Sequence, residues 1–225
     1  MASICDNINK LKTELLPYKA TLVAVSKTKP VGLIRESLDC GQIIFGENYV
    51  QELRDKQPLL SDSTQWHMIG HLQSNKVKYV APFINLIHTV DSLKLLEEIN
   101  RLGIKNRRII NVLVQVFIAD EDSKSGITYS EADELWTSPV LNTLSHVSIQ
   151  GLMGMATNTE DSQKIRNEFK RLKLYFDDIK QSQIFQGEKH RMSTLSMGMS
   201  SDYKIALDEG SSMVRIGSLI FGERQ

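Results

Sequence analysis

The chain has 225 residues with 27 basic and 27 acidic side chains, so no net field draws it to a nucleic acid or an anionic membrane. No apolar run reaches the length of a membrane span, and residues 1–10 alternate polar with apolar and lack the core of a signal peptide. A soluble, cytoplasmic, monomeric protein is expected, with one large α/β domain over residues 1–225. Cys5 and Cys40 stand far apart without a CxxC partner, which points to neither a zinc site nor a disulfide; Cys40 reads as a small apolar residue packed at a helix end before Gly41.

Ile4, Ile8, Leu11 and Leu15 recur at helical spacing, so residues 3–16 read as an amphipathic helix ended by Pro17. Leu22, Val23, Ala24 and Val25 then run without polar alternation, the pattern of a parallel strand covered on both faces, and the strand delivers Lys27 at its carboxyl end. Pro30 needs no amide partner and suits the start of a helix over 31–40, which Gly41 closes. Strands follow at 42–46, 65–70 and 85–90, and helices at 47–57, 74–80 and 93–102. Asp91 and Ser92 offer an N-cap to the last of these helices, and Gly103 is its predicted stop.

The second half keeps the rhythm with longer connections. Strands are predicted at 109–116, 147–153, 191–196 and 213–216, and helices at 130–137, 159–182 and 201–209. A polar loop at 119–126 separates the fifth strand from its helix. Eight strand–helix units without a linker rich in Gly, Ser or Pro predict a closed (β/α)8 TIM barrel with an extra N-terminal helix. An open doubly wound sheet is the alternative, but the first strand–helix turn lacks GxGxxG.

In such a barrel the chemistry sits where strands run into the following helices. Those positions hold Lys27, Glu47, Asn48, His71, Gln73, Asp91 and Lys124, then the loops 196–202 and 217–218. A lysine desolvated at a strand end is a competent amine nucleophile, and the other reading of Lys27 is a side chain that reaches water. Gly198 and Gly217 allow close approach to the backbone, and Ser200, Ser201 and Ser218 supply hydroxyls, so the last two loops resemble an anion cradle; ordinary helix capping by Ser201 or Asp202 is the other reading.

Arg215 interrupts an apolar strand, so it faces the lumen or is held by a carboxylate on the helix side. As a permanently protonated donor it suits the ring nitrogen of a heteroaromatic ligand. His67, His71 and His88 lack a carboxylate to complete a metal set, and His67 and His88 read as packed or hydrogen-bonded. GxSxG and P-loop motifs are absent from the sequence.

A reactive lysine, a phosphate cradle and an arginine for a ring nitrogen together describe a pocket for pyridoxal 5′-phosphate. The stretches AVSKTKP (24–30), FGENYVQE (45–52), WHMIGHLQSNK (66–76), SKSGI (123–127), GLMGMA (151–156), LSMGMSSDY (195–203) and VRIGSLIFGER (214–224) resemble those of the pyridoxal phosphate homeostasis proteins, nearly end to end. The resemblance implies a barrel akin to the N-terminal domain of alanine racemase, with Lys27 carrying the cofactor as an internal aldimine. It places Asn48 and His71 near the cofactor ring, Ser196, Met197, Ser200, Gly217 and Ser218 in the phosphate-binding segments, and Arg215 opposite the pyridine nitrogen. Ser218 stands where many relatives have threonine, which keeps the hydroxyl.

The role so implied is to hold the cofactor, limit free aldehyde and hand it to apo-enzymes, rather than to turn over a substrate. The alternative is a small racemase-like enzyme that uses the same lysine, and a more distant one is a Schiff-base aldolase. The expected length leaves no room for the further β domain of alanine racemases. Lys124, on the polar loop, reads as a solvated loop lysine; the other reading is a side chain that influences admission or release of the cofactor.

Overall fold

The computed structural model describes residues 2–120, 126–187 and 189–222. Eight parallel strands close into a barrel in chain order: β1 (Thr21–Val25), β2 (Ile44–Glu47), β3 (Gln65–Met68), β4 (Leu86–Val90), β5 (Ile110–Gln115), β6 (Val147–Met153), β7 (Thr194–Met199) and β8 (Met213–Ile216). The seam pairs β1 with β8, Leu22 opposite Val214 and Ala24 opposite Ile216. Around the barrel run α1 (Ile4–Leu15), α2 (Val31–Asp39), α3 (Val50–Lys56), α4 (Val77–Val80), α5 (Leu93–Asn106), α6 (Tyr129–Thr137), α7 (Ser162–Ile179), α8 (Tyr203–Asp208) and α9 (Ser218–Phe221). The fold is the (β/α)8 TIM barrel with an extra N-terminal helix that the sequence predicts.

Two apolar clusters follow from strand periodicity. Val23, Leu86, Leu113, Met153 and Met213 pack together inside the barrel. Leu22, Ala24, Phe45, Trp66 and Met68 point the other way and join the helices in the larger outer core. Because side chains alternate along a strand, the inward turn of Val23 also sets the direction of Val25 and of Lys27 beyond it.

Four local details depart from the sequence reading. Cys5 and Cys40 are joined by a disulfide, with Cα atoms 5.5 Å apart, because α1 packs on α2 and brings its first turn to the end of that helix. Helix α5 continues through Gly103 and stops at Arg107, which takes the left-handed φ of 54°. Gly103 serves packing instead, since a Cβ there would lie 2.8 Å from the His146 Cβ and carbonyl. Strand β7 begins at Thr194: residues 191–193 already bond to β6, Arg191 N–H to the Ile149 carbonyl, but precede the paired register. Ser196 and Met197 therefore lie within the strand. The short α9 was not among the predicted elements.

Among the described residues, no helix is long and apolar enough to cross a membrane.

Candidate functional site

A pocket of about 530 Å³ opens where the strands end. Lys27 (after β1), Asn48 (after β2), Ser200 (after β7), and Arg215, Gly217 and Ser218 (β8 and its following turn) all line it. The apolar part of the wall comes from Val25, Ile69, Met155 and Met199. Lys27 is half-buried. The turn after it is unusual, because Thr28 takes a φ of 64°, a conformation that a β-branched side chain rarely adopts.

The floor of the pocket is a chain of buried polar groups. Arg215 is 4% exposed, and its Nη1 donates to Ser196 Oγ at 2.6 Å and to the Ser196 carbonyl at 2.9 Å, while Nη2 donates to the Gly154 carbonyl at 3.1 Å. Ser196 Oγ lies 3.1 Å from His88 Nδ1, and His88 Nε2 lies 3.0 Å from His67 Nδ1. Since the guanidinium only donates, one order satisfies the whole chain: Arg215 to Ser196, Ser196 to His88 Nδ1, His88 Nε2–H to His67 Nδ1.

Burial pushes the His67 imidazole down to about 3 and that of His88 well below its usual value, helped by His67 and by the Arg215 charge. Both rings are therefore neutral acceptor–donor links at neutral pH. Burial also draws Arg215 down, to about 10, against the pull of Asp202, so it keeps its proton. A fixed cation thus sits at the base of a pocket whose rim offers a primary amine and serine hydroxyls. That set suits a ligand with an electrophilic carbon at one end, an anion at the other and an acceptor nitrogen between them.

Six of the sequence-predicted site residues share this wall: Lys27, Asn48, Ser200, Arg215, Gly217 and Ser218. Ser196 lies beneath it, fully buried, as the partner of Arg215. Met197 is not brought to the pocket: strand alternation turns its side chain into the outer core, and its amide donates to Ser211 Oγ at 3.4 Å. His71 lines a neighbouring cleft that shares only Asn48 with the first, and its Nδ1 stands 3.3 Å from Asp91 Oδ2. Lys124 and most of the 123–127 motif lie outside the described residues.

The sequence reading missed Lys29, and it named Glu47 only as a strand-end position. Lys29 lines the pocket and its Nζ donates to the carbonyls of Phe221 and Gly222 at 3.2 and 3.3 Å, which ties the β1 turn to the unpredicted α9. Glu47 is fully buried behind the turn, bonded to Ser26 and Lys56. Burial, opposed by Lys56 and Ser26, raises its carboxyl to about 7. The available signal was phase: Glu47 follows Phe45 at strand spacing, on the face turned away from the lumen.

Comparison with known proteins adds to this geometry. The family described as alanine racemase, N-terminal domain, matches residues 1–225. A pyridoxal phosphate homeostasis protein from Escherichia coli is 41% identical over 234 residues, covering 100% of this chain and 95% of that protein. Its namesake from Vibrio alginolyticus is 36% identical over 238 residues, 100% of this chain and 99% of its own. Among solved structures, PipY of Synechococcus elongatus with PLP bound has a TM-score of 0.87 at 33% identity, covering 98% of this chain and 100% of that one.

Proposed function

Because this chain belongs to the pyridoxal phosphate homeostasis protein family, we propose that it binds pyridoxal 5′-phosphate in the Lys27 pocket and holds it for delivery to apo-enzymes. The observation that carries the reading is the convergence of Lys27, Arg215 and the serine-bearing turns at 200 and 218 on one cavity. The donor set fits the cofactor's parts. Lys27 would take up the aldehyde carbon, Ser200, Ser218 and the backbone at Gly217 would hold the phosphate, and Asn48 would lie beside the ring. Arg215, held from below by Ser196, would donate to the pyridine nitrogen.

The bound cofactor supplies an electron-accepting ring, and a ring nitrogen kept unprotonated by a donating guanidinium weakens that acceptor, which favours storage over turnover. The chain's own part is to hold the amine and the cation at fixed places and to keep water from the apolar wall formed by Ile69 and Met155. A cytoplasmic monomer is the proposed form, on the balanced charge.

The test is borohydride reduction of the purified protein loaded with pyridoxal 5′-phosphate, followed by peptide mass mapping. The expected adduct is on Lys27 and is missing in Lys27→Ala. Label on Lys29 in place of Lys27 overturns the assignment. Exchange of α-deuterium on amino acids well above the rate with free cofactor would favour the racemase-like alternative.

A further inference from the structure

The turn that carries Lys27 is held from the side away from the pocket. Both chain neighbours of the lysine are tied down. Ser26 Oγ donates to Glu47 Oε1 at 2.7 Å, and the Ser26 carbonyl accepts from Lys56 Nζ at 2.9 Å. On the other side, the Thr28 amide donates to Glu52 Oε2 at 2.8 Å. Lys56 Nζ also reaches Glu47 Oε1 at 2.8 Å and Glu52 Oε2 at 2.6 Å, so each of its hydrogens has an acceptor.

Three features separate this cluster from an ordinary ion pair. It is buried, with Glu47 at 0% and Lys56 at 8% exposure, where an ion pair adds little stability over apolar packing. Glu47 Oε2 is buried without a hydrogen-bond partner, a cost that a cluster serving stability alone does not need. And the Glu52 carboxylate fastens the one amide whose residue, Thr28, sits at φ 64°. A charge-assisted bond to that amide offsets the strain of the conformation. None of Glu47, Glu52 and Lys56 lines the pocket.

We propose that Glu47, Glu52 and Lys56 are positioning residues for Lys27, a clamp that fixes the backbone on both sides of the lysine and so aims its amine at the cofactor's aldehyde. The inference rests on the pyridoxal 5′-phosphate reading of the pocket. In the step concerned, the neutral Lys27 nitrogen bonds to the aldehyde carbon, and its two hydrogens leave with the aldehyde oxygen as water. Orientation governs the rate of that condensation, whereas Arg215 and the phosphate contacts at 200, 217 and 218 lie on β7, β8 and their following turns, and of the cofactor contacts other than Lys27 only Asn48 adjoins the clamp.

The experiment uses the full chain with Glu52→Gln and Lys56→Met, and two ligands. Formation of the borohydride-trapped Lys27 adduct with pyridoxal 5′-phosphate is expected to slow about tenfold, while affinity for 4-deoxypyridoxine 5′-phosphate, which lacks the aldehyde, changes less than about twofold. Should Lys56→Met fail to fold, the isosteric Glu52→Gln, which leaves Lys56 paired with Glu47, carries the test. Adduct rates equal to those of the unsubstituted chain overturn the clamp and leave the cofactor reading standing. A parallel loss of affinity for the analogue also overturns it, since the variants would then disturb the whole pocket. No adduct in the unsubstituted chain overturns the cofactor reading and the clamp with it.

Discussion

Arg215 and Ser196 meet inside the barrel through two hydrogen bonds from one guanidinium nitrogen, to the hydroxyl at 2.6 Å and to the carbonyl at 2.9 Å. Both side chains are buried. Ser196→Ala leaves the guanidinium short of an acceptor and breaks the link to His88. Urea unfolding should show a loss of about 1–3 kcal/mol, the cost of an unsatisfied buried polar group.

The histidine pair gives the fold an acid limb. His67 is held at about 3 against an ordinary value of 6.5, so the folded chain binds fewer protons than the unfolded one across that interval. Its contribution to stability is full above 6.5 and is lost as the pH falls toward 3. His67→Gln, which cannot titrate, should flatten the dependence of the urea midpoint on pH in this window. An unchanged slope would show that His67 does not bear the proton cost of acid unfolding.

Reduction of the Cys5–Cys40 disulfide should lower stability without moving the pocket. The bridge closes a loop with a sequence separation of 35, for which chain entropy gives about 3–4 kcal/mol. Thermal melts with and without a dithiol, and of Cys5→Ser, check this. The substitution and the reductant should produce the same shift and should not add.

Gly70 lies against the site, since a Cβ there would stand 2.3 Å from the Asn48 carbonyl oxygen and 2.7 Å from its Cα. Gly70→Ala must push Asn48 from its place on the pocket wall. A stability loss of about 1–3 kcal/mol is expected, with weaker binding of the non-aldehyde analogue as well as of pyridoxal 5′-phosphate. Calorimetric titration with both ligands separates this outcome from the clamp variants, which spare the analogue.

The strands were legible because a parallel barrel buries both faces of each one, and an unbroken run such as Leu22 to Val25 has no other use in a chain of this size. Lys27 and Arg215 were legible as singular polar residues at the ends of, or inside, such runs. Met197 was named from the family resemblance as part of a phosphate-binding segment; alternation along β7, in phase with buried Leu195, turns its side chain into the outer core. The disulfide was illegible for a different reason: the approach of Cys5 to Cys40 depends on how two helices pack, not on spacing. Glu52 and Lys56 stand four residues apart on a helix, a spacing that equally suits a solvated pair; the fold buries Lys56 and leaves Glu52 only partly exposed.

The seam between β1 and β8 has a consequence for biosynthesis. The amine belongs to the first strand, while Arg215, Gly217 and Ser218 belong to the last strand and the turn behind it, and the two strands become neighbours only when the cylinder shuts. A ribosome-held chain that has not yet released residues 213–218 presents Lys27 without Arg215, Gly217 and Ser218. On the proposed reading, competence to load cofactor therefore arrives at once, when the closing strand pairs, rather than accumulating during translation.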